Sequence, residues 1–164
     1  MKHLTKIFLV GLLVCSMLLS GCFEKEPEPK EFSAEGMTIT LNDSFSERES
    51  DTYTVSYIAP KVVVYAMRES FDSFVNPTFA SKTTVVEYAE DLVESNELDV
   101  EVKTVYGLTS FVYTRRSKGE EYTFYTAVYK TEDAFWHVQF ATKTDSFNEL
   151  FDMIEDFAYS VTFS

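Results

Sequence analysis

Thiols, imidazoles and turn-forming residues are scarce in this chain of 164 residues, which holds two cysteines, two histidines, five glycines and four prolines. Both cysteines, Cys15 and Cys22, fall near the start, so everything after Cys22 lacks a thiol. That excludes a disulfide scaffold, a thiol nucleophile and a cysteine metal site from the body of the chain. Of the two imidazoles, His3 lies at the extreme N-terminus and only His137 in the body. Zinc takes about four ligands, three or four of them from the protein, so one histidine without cysteine falls short. A Gly-x-Ser-x-Gly elbow is also missing, and with it the usual setting of a serine nucleophile. So is the Asp-x-Asp-x-Asp-Gly pattern of a calcium loop, for which Asp99 with Glu101 is too sparse a substitute. Positive charge is short as well: 14 Lys and Arg stand against 27 Asp and Glu, a net charge of −13. Phosphate backbones and anionic headgroups repel such a chain, so nucleic acid is not an expected partner. The sparse glycine and proline, and the absence of internal repeats, argue against disorder and solenoids. What is plentiful is aromatic: 16% of residues are Phe, Trp or Tyr, the composition of an aromatic-rich sheet core.

The first 22 residues read as an address. Lys2 and Lys6 precede an uncharged apolar run at residues 7–19, shorter than the roughly 20 residues needed to span a bilayer. Small residues then lead to a cysteine, the order of a secretory signal with its cleavage site. Leu19-Ser20-Gly21-Cys22 resembles the lipobox of bacterial lipoproteins. The resemblance implies cleavage between Gly21 and Cys22, diacylglycerol on the Cys22 sulfur and further acylation by a chain such as palmitate. One acyl chain holds only marginally, at about 0.8 kcal/mol per buried methylene, whereas two or three hold stably. The expected division is a signal peptide at 1–21, the lipidated cysteine and a flexible charged tether at 22–31, and one folded domain at 32–164. Loss of Lys2 and Lys6 takes the charge to about −15. The tether, with Pro27 and Pro29 among alternating charges, should be extended at about 3.1 Å per residue.

Within the domain, Met37, Ile39 and Leu41 alternate with threonines as a strand, and Tyr53, Val55 and Tyr57 alternate again. Residues 61–68 are apolar on both faces and predict a buried central strand. Residues 69–82 show no period and contain Asn76-Pro77, so a surface loop is expected there. Thr84 and Glu87 have capping-box spacing before a helix whose inner stripe is Val85, Ala89, Leu92 and Val93. A strand at 100–106 and three long strands at 108–116, 122–130 and 134–143 form a meander with turns at 117–119 and 132–133. Tyr122, Phe124 and Val128 mark one face of it; Tyr125, Ala127 and Tyr129 mark the other. A second helix opens at Asp145-Ser146, with Ser146 and Glu149 in capping-box register. Phe147, Leu150, Phe151, Ile154 and Phe157 form its stripe, and a strand through Tyr159, Val161 and Phe163 closes the chain. The fold class is α+β, an antiparallel sheet of seven or eight strands sandwiched with two helices.

This order of elements resembles the PsbP-like and DcrB-like α/β/α sandwich family, which includes bacterial lipoproteins. The residues that carry the resemblance are Gly36 to Leu41 with Phe45 behind a short turn, the strand containing Trp136, and Phe157 to Phe163 after the last helix. The family usually has a proline after the opening strand, where this chain has Asn42-Asp43. The resemblance implies an accessory, docking or assembly role without catalysis, as in a photosystem extrinsic protein and a nuclear-transport GTPase binder.

Four groups deserve weighing as sites. His137 sits mid-strand beside Trp136 and reads as structural. Most carboxylates fall on the polar stripes of the two helices, where solvation accounts for them. Arg115, Arg116 and Lys118, the one basic cluster, lie at a hairpin tip beside Glu120 and Glu121 and are a possible docking spot. Phe71, Phe74 and Phe79 either rim an apolar partner patch or pin their loop to the core. The expectation is therefore a lipid-anchored, extracytoplasmic binding or assembly module, not an enzyme, with no cofactor or metal. Its expected partners are the membrane, through the anchor, and another extracytoplasmic or membrane protein. The alternatives are a carboxylate-dependent cell-surface hydrolase and a carrier of an apolar ligand.

Overall fold

The computed structural model describes residues 27–164. Gly21 and Cys22, and with them the signal and lipidation expectations, lie outside the described residues. Ten strands and three α-helices follow. A three-stranded sheet contains β1 (Pro29–Ala34), β2 (Met37–Asn42) and β10 (Thr162–Phe163) in the order β1-β2-β10. A seven-stranded sheet contains β3 (Ser46–Glu47), β4 (Val55–Ile58), β5 (Val63–Ser70), β6 (Lys103–Val105), β7 (Leu108–Ser117), β8 (Glu120–Lys130) and β9 (Ala134–Lys143). Its order is β3-β4-β5-β9-β8-β7-β6, with every pairing antiparallel. The helices are α1 (Pro77–Lys82), α2 (Val85–Ser95) and α3 (Thr144–Tyr159). The expected α+β sandwich is what forms.

Turn chemistry sets the hairpins. Glu35-Gly36, Tyr106-Gly107 and Lys118-Gly119 each place two consecutive residues at positive φ, the two-residue geometry whose twist matches paired strands. They take up all three glycines after Gly21. Both edges of the large sheet are short and exposed, β3 with two residues and β6 with three, which limits edge-to-edge pairing.

The two faces of the large sheet are covered differently. On one lie α3 and the small sheet, around a core that includes Met37, Ile39, Tyr57, Val64, Trp136, Phe140 and Ile154. On the other lie α1 and α2, around Phe71, Tyr88, Ala89, Phe111, Val128 and Phe135. With 11 residues, α2 is about 16 Å long, while strands of 10 or 11 residues run roughly 33 Å or more. A helix half as long as the strands leaves the rest of that face open.

Several expectations need correction. The first strand begins at Pro29 and pairs Pro29 with Asn42 and Lys30 with Leu41. Residues 29–31 therefore belong to the folded hairpin, not to a flexible tether. The segment 69–82 is not an irregular loop: a 3-10 turn at Phe71–Ser73 leads to α1, whose N-cap Asn76 accepts a hydrogen bond from the Phe79 N–H at 3.1 Å, with Pro77 in the first turn. Asn76-Pro77 is a helix start. Helix α3 starts at Thr144, before the Ser146–Glu149 spacing, and its N-cap Lys143 makes no side-chain cap. The strand expected at 100–106 shrinks to three residues, and Tyr159 ends α3 instead of opening β10.

Candidate functional site

The uncovered part of the sheet face follows from strand register. Along β9, Phe135, His137, Gln139 and Ala141 share this face, opposite Val128, Thr126 and Phe124 of β8. Phe111 and Tyr113 of β7 face Thr126 and Phe124, and Tyr65 and Met67 of β5 face Gln139 and His137. Phe135, Val128 and Phe111 are buried beneath α2; one step further along the strands the side chains turn polar.

Beside the C-terminal end of α2 lies a hollow of about 370 Å³, where Glu69, Tyr113, Arg115, His137 and Gln139 converge with Tyr53 across from Leu92 and Asn96. Arg115 donates to the Asn96 carbonyl at 3.2 Å, a cation at the negative end of the α2 dipole. Its guanidinium also lies 5.5 Å from the centre of the Tyr113 ring. The Gln139 amide donates to the Tyr113 hydroxyl at 3.2 Å. His137 Nδ1 lies 3.3 Å from the Tyr88 hydroxyl. Burial pushes the His137 pKa down to about 4, so the imidazole is neutral at physiological pH. Burial likewise lifts the Tyr88 hydroxyl far above the ordinary phenol range, and the Glu69 carboxylate beside it adds to the effect. The Tyr113 hydroxyl is raised mainly by burial, against the opposing pull of Arg115 and Gln139. Neutral hydroxyls, a neutral imidazole, an amide, one guanidinium and one carboxylate make a hydrogen-bonding surface.

A second hollow, of about 800 Å³, continues on the same face toward the β7–β8 turn. Tyr65, Tyr122 and Phe124 line it together with Arg48, Lys61, Lys118 and Lys143. Two stacked ring pairs join the hollows. Tyr53 of the first stacks on Tyr65 of the second at 4.4 Å between ring centres, and Tyr113 of the first on Phe124 of the second at 4.9 Å. Lys61 pairs with Glu149 at 3.3 Å and Lys143 with Glu120 at 2.7 Å, while Arg48, Arg115 and Lys118 make no salt bridge among the described residues. A further hollow of about 860 Å³ lies beside the 131–133 turn, but its cation is already engaged. Lys130 donates to the Ser81 and Thr83 carbonyls at 2.8 and 2.7 Å.

The expected site residues thus separate. Arg115 and Lys118 border the two hollows, whereas Arg116 alternates to the opposite face and lies 3.8 Å from Glu121. Phe71 and Phe74 pack edge-on against Phe135 at 5.2 and 6.3 Å, so they pin the segment to the second core. Phe79 stays 68% exposed and Val75 wholly so. Sequence reasoning did not single out Tyr53, Tyr65, Glu69, Tyr88, Tyr113 or Gln139. A weak signal existed in the i, i+2 runs Phe111-Tyr113-Arg115 and Tyr65-Met67-Glu69. Among the described residues no group of three or more metal-type side chains converges, and no helix is long and apolar enough to cross a membrane.

No protein-family model matches this chain, and no curated protein sequence does. Solved structures do. The Ran-binding protein Mog1p of Saccharomyces cerevisiae aligns with a TM-score of 0.55 and 11% identity over 84% of this chain and 96% of its own. A Bacteroides thetaiotaomicron protein aligns at 0.53 and 10% over 85% of this chain, which spans only 49% of that protein's length. The cyanobacterial PsbP (CyanoP) of Synechocystis aligns at 0.49 and 7%, over 90% of this chain and 99% of its own. At these identities the first two likenesses concern the fold alone.

Proposed function

We propose that this chain is a lipid-anchored, non-catalytic binding or assembly module of the extracytoplasmic membrane face, and that it engages its partner on the open side of the large sheet. The observation that carries the reading is the convergence of Glu69, Tyr113, Arg115, His137 and Gln139 on one open hollow. These groups suit recognition better than reaction. The imidazole is neutral, but the hydroxyl facing it is a phenol far from ionisation, not an activated nucleophile. A hydrolase with paired carboxylates needs two of them roughly 5–10 Å apart. The first hollow has Glu69 alone, and the Glu120 of the second is bound to Lys143. Both hollows on this face open to solvent and carry polar and charged groups, which suits a polar partner better than an apolar ligand. A shared fold with a Ran-binding protein fits a scaffold that presents a surface to partners.

Anchoring rests on Leu19-Ser20-Gly21-Cys22. In cell fractions, Cys22→Ser should move the protein from the membrane to the soluble pool; retention on the membrane would overturn the anchor. Crosslinking on intact cells should capture a partner that the Tyr113→Ala, Arg115→Ala double variant loses. Unchanged capture would remove this face from the reading.

A further inference from the structure

We infer that the joined hollows bind an acidic saccharide chain, laid across the sheet from His137 toward Lys143. This rests on the binding reading above and gives its site a ligand class. Six residues of strand at about 3.3 Å each put roughly 20 Å between those two positions, room for several linked rings.

Three observations select the occupant. First, the floor is a sheet face whose backbone groups are already paired with neighbouring strands. A peptide could not add itself there as a strand, because main-chain recognition needs an edge. Only side chains are on offer. Second, those side chains are flat rings with polar tips. Tyr53 stacks on Tyr65 and Tyr113 on Phe124, so each ring turns one face to its partner. The four rings line the two hollows, with Gln139 hydrogen-bonded to the Tyr113 hydroxyl. The C–H faces of sugar rings pack on such aromatics while their hydroxyls meet the amide and phenol groups. Third, the charge is wrong for a merely solvated surface of this protein. In a chain of net charge −13, five cations border the hollows; Lys61 is paired with Glu149 of α3 and Lys143 with Glu120, which leaves Arg48, Arg115 and Lys118. The carboxylates lining them are Glu69 and Glu120. Arg48, Arg115 and Lys118 have no carboxylate partner among the described residues. A local positive field inside an acidic envelope attracts a ligand with spaced negative charges. Single-stranded nucleic acid also combines rings and anions, but carries a phosphate at every residue and meets the repulsion of the whole chain.

Calorimetric titration of the detergent-extracted protein tests this with five probes: hexagalacturonate, a heparin-derived hexasaccharide, maltohexaose, hexaglutamate and hexathymidylate. At least one of the two acidic saccharides should bind, more tightly than the other three probes and less tightly with added salt. Tyr113→Ala and Arg115→Ala should each weaken that binding roughly tenfold. Arg116→Glu, on the opposite face of the same strand, should leave it unchanged and controls for folding of the hairpin. Equal or tighter binding of hexaglutamate or hexathymidylate overturns the saccharide in favour of a peptide or nucleic acid. Equal binding of maltohexaose overturns the role of the cations, and no binding by either acidic saccharide overturns the inference outright. If the saccharides fail while crosslinked capture still depends on Tyr113 and Arg115, only the ligand class falls. If capture is also indifferent to them, the binding face falls with it.

Discussion

The Tyr88 hydroxyl, from the middle of α2, meets Nδ1 of His137, from the middle of β9, at 3.3 Å. Tyr88 is also stacked on Phe135 at 4.1 Å between ring centres, two residues before His137 on the same strand face. One side chain therefore joins the aromatic core under α2 to the polar hollow beside it. The neutral phenol can donate to the neutral imidazole, and burial favours that pairing over any charged form of either group.

Burial of the His137 imidazole sets a pH dependence. The folded pKa of His137 is about 4, below its usual 6.5, so between these values the unfolded chain binds the proton and the folded chain does not. Stability should therefore be full above about pH 6.5 and fall as pH drops toward 4, by on the order of 3 kcal/mol from this group. His137→Gln should flatten the decline relative to the parent. Urea midpoints measured from pH 4 to 7 on both proteins check it, and parallel curves would remove His137 as the cause.

Helix α2 depends on its first turn. The Glu87 N–H donates to Thr84 Oγ1 at 3.2 Å, and the Thr84 N–H donates to Glu87 Oε2 at 2.7 Å. The hydrogen bonds from Thr84 hold the Glu87 pKa below the ordinary carboxylate range, so the box weakens as pH falls through that pKa. Thr84→Ala should cost about 1 kcal/mol. Because α2 forms the wall of the first hollow, amide exchange in residues 85–95 should rise before the rest of the chain is affected. Uniform exchange across the domain would contradict a local role for the cap.

Local grammar accounts for what was legible in the sequence. The Thr84–Glu87 box, the stripe Val85, Ala89, Leu92 and Val93, and the hairpin turn at 117–119 each act within a few residues, and each forms as read. Errors arose where a local signal had a second meaning. Asn76-Pro77 reads as a break but caps α1, and Ser146 with Glu149 has capping spacing inside a helix already begun at Thr144. At that helix start the contact is tertiary, from Thr123 Oγ1 to Thr144 Oγ1 at 3.0 Å. The hollows were illegible for a related reason. Glu69, Tyr113 and His137 lie far apart in the chain, and only strand register brings them together. Alternation shows which residues share a strand face; it does not show which strands are neighbours, nor that α2 is too short to cover them.

The main core should be intolerant of truncation. Ile154 is fully buried on the inner face of α3, within the cluster that holds Trp136 and Phe140. Ile154→Ala should cost about 2–5 kcal/mol, through lost transfer energy and the cavity left behind. Trp136, the single tryptophan, is 2% exposed and reports on the outcome. Its emission should be blue-shifted and shielded from iodide in the parent, with the unfolding midpoint moved to lower urea in the variant. A midpoint shift below the range of ordinary surface substitutions would show that α3 is not held by this contact.

Two buried hydroxyls invert that expectation. Thr126 Oγ1 and Tyr57 Oη are enclosed without a hydrogen-bond partner among the described residues. Burial, with Glu47 nearby, pushes the Tyr57 hydroxyl up to about 12, so it stays a neutral group that has lost its water. A buried donor without a partner costs about 1–3 kcal/mol, and removing it at constant shape returns part of that. Thr126→Val keeps the branched shape on β8 and Tyr57→Phe keeps the ring, so each should hold or raise the Tm. Thr126 lies between Gln139 and Phe111 in register, directly under the first hollow. A loss of stability in Thr126→Val would show that its hydroxyl is satisfied, by water reaching it through that hollow. Tyr57→Phe is the comparison for that outcome, because Tyr57 belongs to the core on the opposite face of the sheet and lines neither of the two hollows.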